Sequence, residues 1–87
     1  NLLILIYIWI MINEEIDKIF QEVDNNKLCT ILFKDTNHLI ADFKKVNDNK
    51  YNFCHYLREN SLKQVTKRYL TDWLKLIPNY VITIKYN

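Results

Sequence analysis

The sequence predicts an α+β fold: a small single domain in which a helix, a three-stranded antiparallel meander, a second helix and a final strand follow one another. Three observations predict it. Two segments repeat apolar residues at the helical period, four short segments are β-rich or alternating, and the first three of these four are joined by connections too short for parallel strands. Two helices on one face of a four- or five-stranded sheet would bury all the apolar faces together.

The length and composition allow one domain with a hydrophobic core. The chain has 87 residues, near the lower limit for a single core, and 49% of them are hydrophobic. It has no glycine and one proline, Pro78, so its turns should depend on asparagine, which tolerates positive φ best after glycine. We therefore assign residues 13–87 to a single α+β domain. The abundance of Asn, Ile, Lys and Tyr also indicates A/T-rich codons and a low-GC source.

The first twelve residues form a separate apolar segment. Residues 1–12 carry no charge, but a membrane-spanning helix needs roughly 20 apolar residues, so the run is too short. It also lacks the basic start and small-residue cleavage site of a secretory signal, and we expect no membrane association. Two interpretations stay open: an extra buried strand, or sequence upstream of a natural start at Met11.

The first helix is predicted to begin at Asn13, a good N-cap residue that precedes Glu14 and Glu15 in the first turn. Apolar residues then recur at helical spacing, at Ile12, Ile16, Ile19, Phe20 and Val23. The polar run Asp24-Asn25-Asn26 should end this helix.

Three strand candidates follow, at residues 28–34, 39–46 and 51–57. The turn at residues 35–37 separates the first two, and a four-residue hairpin loop at 47–50 separates the second from the third. In the third strand, alternation predicts a core-facing set made of Tyr51, Phe53, His55 and Leu57.

Residues 61–77 are predicted to form the second helix. Ser61 and Gln64 match a capping box, and Pro78 supplies a stop. The apolar positions share one half of the helical wheel, and a row of basic positions lies on or beside the other half. Residues 80–86 then alternate apolar and polar positions, which predicts the final strand.

The sequence does not indicate an enzyme, a cofactor or a metal site. Its cysteines and histidines lack the paired spacing of structural zinc sites: Cys29, His38, Cys54 and His55. Without glycine, the usual phosphate-cradling loops are excluded. Two cysteines are also too few for a disulfide framework, which favours a reduced, cytoplasmic protein. We therefore expect a non-catalytic binding module.

Basic residues are concentrated after the first helix and define the candidate site. Residues 13–26 hold five acids and one lysine, whereas residues 27–87 hold eleven Lys or Arg and five acids. A basic face of this kind is typical of a phosphate-binding surface, and an exposed Tyr51 or Tyr56 would add a stacking surface. The candidate nucleic-acid-binding residues are Lys44, Lys45, Tyr51, Asn52, Lys63, Lys67, Arg68 and Lys75.

The predicted order of elements over residues 13–77 resembles that of double-stranded RNA-binding domains. In that family the last helix presents lysines to phosphates. Lys63, Lys67 and Arg68 hold the comparable place near the start of the second predicted helix. The resemblance implies RNA binding by that helix.

Residues 33–53 are similar to the first motif of Sm-like RNA-binding proteins, through the run from Phe33 to Ala41 and the later Tyr51-Asn52-Phe53. The resemblance implies that Tyr51 stacks on a base and that Asn52 reads it. Thr36 and Ala41 replace the family's glycines, and residues 61–77 are predicted to be helical where the family has a strand. A small Sm- or SH3-like barrel with an N-terminal helix is therefore the alternative fold.

Two functions follow from these patterns. The first is nucleic-acid binding, with RNA favoured over DNA, through the basic face. The alternative is a protein-interaction module or small inhibitor of the kind that phages and mobile elements encode, with a homodimer formed through the last strand as one form of it.

Overall fold

The computed structural model describes residues 13–57, 59–77 and 81–87, so the apolar segment 1–12 and the predicted stop at Pro78 lie outside the described residues. Within them the chain forms two helices and one five-stranded antiparallel sheet. The elements are α1 (Asn13–Asp24), β1 (Cys29–Phe33), β2 (Leu39–Asn47), β3 (Lys50–His55), β4 (Glu59–Val65), α2 (Lys67–Leu74) and β5 (Ile82–Tyr86). The predicted α+β fold is confirmed, and the sheet is open, not the closed barrel of the alternative.

The strands lie in the order β4-β3-β2-β1-β5, and every neighbouring pair is antiparallel. The first four strands form a meander. The chain then passes from β4 at one edge to β5 at the other, and α2 lies within this connection. The crossing places the last strand beside the first, which explains why β5 does not extend the meander.

Both helices pack against the same face of the sheet. The Phe20 ring of α1 lies 6.3 Å from the Phe43 ring and 5.6 Å from the Tyr51 ring. The Trp73 ring of α2 lies 4.8 Å from the Phe53 ring, and Phe53 pairs with Phe43 across β2 and β3. One buried cluster therefore contains Ile16, Ile19, Phe20 and Val23 of α1, Leu70 and Leu74 of α2, and the inward residues of the strands.

Asparagine replaces glycine at two turns, as the composition predicts. Asn26, just after α1, has a φ of 67°, and Asn37, between β1 and β2, has a φ of 57°. The Asn26 amide donates to the Val23 carbonyl at 3.0 Å and closes the end of the helix. A short polar side chain lowers the cost of this left-handed backbone, so the chain can turn without glycine.

The second helix begins later than its sequence pattern predicts, which corrects the interpretation of residues 61–77. Residues 59–65 pair with β3 as the edge strand β4, and α2 spans only Lys67–Leu74. Thr66 is the N-cap: its backbone is extended, and its Oγ1 accepts a 3.1 Å hydrogen bond from the Tyr69 amide. The added strand also separates this topology from that of double-stranded RNA-binding domains, where a helix follows the third strand.

The third strand is close to its prediction, with two corrections. Tyr51 and Phe53 are buried on the helix side, as alternation predicts. The strand ends at His55, however, and Leu57 lies in a turn with 57% of its surface exposed instead of facing the core. The hairpin is also tighter than predicted, since β2 ends at Asn47 and β3 begins at Lys50.

Neither helix in the described ranges is long and apolar enough to cross a membrane.

Candidate nucleic-acid interface

Several elements begin or end at one end of the sheet, which we call the hairpin end because the β2–β3 turn at residues 48 and 49 lies there. Tyr51 at the start of β3 pairs with Val65 at the end of β4, one residue before the cap of α2. The Lys67 amide donates to Asn49 Oδ1 at 3.3 Å, which joins the first turn of α2 to the hairpin. Cations from β2, β3 and α2 are therefore brought together.

Asp24, the last residue of α1, lies at the centre of this end. Its Oδ1 accepts a 2.8 Å hydrogen bond from Tyr51 Oη. The same carboxylate is 3.7 Å from the Nζ of Lys45 and 3.7 Å from the Nζ of Lys67. The Lys67 ammonium also lies 4.8 Å from the centroid of the Phe20 ring, within the range of a cation–π contact. Two lysines from separate elements thus converge on one carboxylate.

Three further cations lie on the same or adjoining elements. Lys50 begins β3, Arg68 lies in the first turn of α2, and Lys44 neighbours Lys45 on the opposite face of β2. All three are exposed, and none has an acidic partner among the described residues. We define the basic surface as Lys44, Lys45, Lys50, Lys67 and Arg68. The carboxylates of Asp24 and Asp48 offset these five cations only in part.

The structure separates the other two predicted lysines from the basic surface. Lys75 is the C-cap of α2, about 12 Å along the helix from Lys67 at 1.5 Å per residue, and so lies near the other end of the sheet. Lys63 lies on the edge strand β4, opposite Phe53, and not on a helix as predicted. Its exposed side chain is on the same face of the sheet as the two helices.

Tyr51 is not the exposed stacking residue that the resemblance to Sm-like proteins implies. Its side chain is fully buried, with the ring against Phe20 and the hydroxyl on Asp24. Burial, followed by the hydrogen bond to Asp24, raises the pKa of Tyr51 above its ordinary value. Asn52 is half-buried on the other face of the sheet, between Lys44 and Gln64 in the cross-strand register.

Sequence reasoning did not find the role of Asp24. The only local signal is a polar run that ends a helix, and such runs are common. The contacts of Asp24 reach Lys45, Tyr51 and Lys67, which are distant in sequence and depend on the packing of α1 on the sheet. A pattern confined to one segment carries no sign of them.

The cysteines and histidines do not form one cluster with each other. Cys29 is fully buried on the helix side, where burial and then the charge of Asp42 raise its pKa to about 12, so its thiol stays protonated at neutral pH. Cys54 is buried near the other face, His55 lies 5.3 Å from the Trp73 ring, and His38 is in an exposed turn. In the ranges that the structure covers, no three His, Cys, Asp or Glu side chains converge to hold a metal ion.

An apolar cleft lies at the end of the sheet away from the hairpin. Its volume is about 280 Å³, and its lining is Phe33, Ile40, His55, Leu57, Trp73, Leu76, Ile77, Val81 and Ile82. Two of these side chains, Leu57 and Leu76, are 57% and 80% exposed. The basic surface and this cleft are thus separate features at opposite ends of the sheet.

No protein-family model matches the chain, and neither a curated protein nor a solved structure matches it.

Proposed function

We propose that this protein binds nucleic acid, with RNA favoured over DNA, through the basic surface at the hairpin end. The observation that carries the proposal is the convergence of Lys45 and Lys67 on Asp24, with three more exposed cations at neighbouring positions of β2, β3 and α2. Phosphate groups bind where several Lys and Arg side chains from a rigid scaffold lie close together. The hydrogen bond from the Lys67 amide to Asn49 fixes the hairpin against α2 and so supplies this rigidity.

The ion pairs with Asp24 leave the lysines able to bind phosphate. Both distances are 3.7 Å, and the side chains of Lys45, Lys67 and Asp24 are 23%, 48% and 34% exposed. Solvent-exposed pairs of this kind contribute only about 0–1 kcal/mol to stability. A phosphate can therefore compete for the ammonium groups at small cost, while Asp24 keeps them close together.

The form of the surface favours RNA over duplex DNA. Reading the major groove of DNA commonly uses a projecting helix. Here the helix that carries Lys67 and Arg68 has eight residues, and it lies against the sheet through the buried Leu70 and Leu74. Such a helix offers cations at its first turn but cannot enter a groove along its length. Loops and single strands of RNA can meet a surface of this shape.

Charge reversal tests the proposal. Lys50→Glu with Arg68→Glu removes two exposed cations of the basic surface, whereas Lys34→Glu with Lys75→Glu changes the net charge equally at positions outside it. We expect the first pair to weaken binding to RNA oligonucleotides by at least about tenfold and to reduce the slope of log Kd against log salt by about 2. Equal affinities for the two double variants would refute the proposal.

A protein-interaction module is the second candidate, and the apolar cleft favours it. Leu57 and Leu76 are large, exposed apolar side chains beside a concave apolar surface, a combination typical of contact with another protein. The partner would insert an apolar side chain between them; a second copy of the chain is one such partner. Native mass measurement with and without Leu76→Glu tests self-association: a dimer that this change dissolves would support the candidate, and a monomer in both would exclude the homodimer.

A further inference from the structure

The face of the sheet away from the helices carries more polar than apolar side chains, and we call it the helix-free face. Alternation from the helix-side residues and the strand register place these side chains on it: Thr30, Leu32, Leu39, Asp42, Lys44, Asn52, Cys54, Leu62, Gln64, Thr83 and Lys85. Leu32, Leu39, Cys54 and Leu62 are the apolar members of this set, and the other seven are polar or charged. No element of the described chain packs against this face, and the exposed fraction of Leu62 there is 67%.

Tyr56 provides one aromatic ring on this face. Its amide donates to the Ile40 carbonyl at 2.8 Å, so its backbone continues the ladder beyond β3. Its Oη donates to Asp42 Oδ2, also at 2.8 Å. These two bonds hold the side chain beside the strands, and it is only half-buried. A ring fixed in this way can accept a flat partner with little loss of side-chain entropy.

The charges of this face suit a polyanion. Lys44 and Lys85 are exposed, and neither forms an ion pair with any described residue. Asp42 is the one carboxylate in the set above, and the Tyr56 hydroxyl is bonded to it. The side-chain amides of Asn52 and Gln64 lie in register with Lys44 and can donate and accept hydrogen bonds. Lys44 is adjacent in β2 to Lys45 of the basic surface, so the two regions meet at this strand.

We infer that the ligand is a single-stranded nucleic acid that extends from the basic surface onto the helix-free face. One base stacks on the Tyr56 ring, and Lys44 and Lys85 contact phosphates. A base can offer its flat face to a tyrosine only where it is unpaired, so duplex does not meet this requirement. The inference rests on the proposed function and adds the class of ligand and a second contact region.

Replacement of the ring tests the inference. The probe is a labelled single-stranded RNA of about ten nucleotides, within the site size of comparable surfaces. We expect Tyr56→Leu to raise its Kd about tenfold, whereas Tyr56→Phe, which keeps the ring and loses the bond to Asp42, should stay within about twofold of the wild type. Neither variant should change the weaker binding of duplex RNA of the same length.

A second variant covers the case in which Tyr56→Leu fails to fold. Lys85→Gln alters one exposed side chain and should lower the salt slope for single-stranded RNA by about 1, with Lys34→Gln as its matched control. Unchanged single-strand binding in Tyr56→Leu, or in Lys85→Gln if the former does not fold, would overturn the inference. If Lys50→Glu with Arg68→Glu still weakens binding at least about tenfold, the proposed function survives that result. If this double variant also binds RNA as the wild type does, the proposed function and the inference both fail.

Discussion

Asp24 shows how one residue can serve the core and the surface together. Its carboxylate holds the hydroxyl of the buried Tyr51 and also faces Lys45 and Lys67. The hydrogen bond joins α1 to β3. It also gives the buried hydroxyl of Tyr51 a partner, and leaving that hydroxyl unbonded would be costly. The ion pairs keep two cations near each other that would otherwise repel. Stability and phosphate affinity should therefore respond to Asp24 in opposite directions.

Replacing Asp24 by Asn should separate these two effects. We expect Asp24→Asn to lower the free energy of unfolding by about 1–2 kcal/mol, because a neutral acceptor binds the Tyr51 hydroxyl more weakly. The same change should tighten RNA binding, since it removes a negative charge from the basic surface. Urea denaturation and salt-titrated binding measure the two quantities. Asp48→Asn, an equal charge change at an exposed hairpin residue, should leave stability unchanged, and an equal loss there would contradict this role of Asp24.

Cys29 should make the protein less stable at alkaline pH. Its pKa is about 12 in the folded protein, where burial disfavours the thiolate, and about 9 for the exposed thiol. The unfolded chain therefore loses this proton first, and stability that is complete below pH 9 should fall by about 1.4 kcal/mol per pH unit as the pH rises from about 9 towards 12. Denaturation of the wild type and of Cys29→Ala at several pH values measures this, and equal slopes would contradict it.

Among the elements, α1 and the strands β1, β2, β3 and β5 were predictable from local pattern, but β4 and the start of α2 were not. In α1 the cap, the first-turn acids and the apolar spacing all agree, and the observed helix is Asn13–Asp24. The segment from Ser61 to Val65 fits either a helix face or an alternating edge strand. Pairing with β3 decides between them, and this long-range contact leaves no mark within the segment itself. Thr66 was the usable local signal, because a threonine before a basic first turn can cap a helix.

The N-cap at Thr66 should determine where α2 begins. Thr66→Ala removes the acceptor for the Tyr69 amide and should lower the free energy of unfolding by about 1 kcal/mol. Thr66→Ser keeps a hydroxyl there and should cost much less. Thermal or urea unfolding of the two variants compares them directly. Equal losses would mean that the methyl group of Thr66, and not its oxygen, matters.

The candidate site was predictable in its chemistry and only partly in its arrangement. Lys45 and Lys67 converge on Asp24, while Lys44 lies beside Lys45 on the opposite face of β2 and Arg68 follows Lys67 in α2. Alternation in β3 predicts Tyr51 on the core side, and the structure confirms this prediction. The exposed stacking role implied by the Sm-like resemblance is wrong. Lys63 and Lys75 lie outside the basic surface because the residues of the predicted helix form a strand followed by a shorter helix.

At the scale of the whole molecule, the distribution of charged residues in the folded structure differs from their distribution along the sequence. The formal net charge is only +2, and the acidic stretch 13–26 is distant in sequence from Lys45 and Lys67. Folding nevertheless places Asp24, from that stretch, among the cations of the hairpin end. Local charge and not net charge should therefore govern encounter with a polyanion. The apolar cleft, at the far end of the sheet, should take no part in it.

An NMR titration of the protein with single-stranded RNA tests the central claim most directly, because it reports where the ligand contacts the surface. We predict that the backbone amides of residues 44–50 and 66–68 shift progressively with added RNA, and that high salt reverses these shifts. The chemical shifts of the amides around Leu57, Trp73 and Leu76 should not change. Shifts confined to the cleft, or none at RNA concentrations that saturate a basic site, would contradict the account.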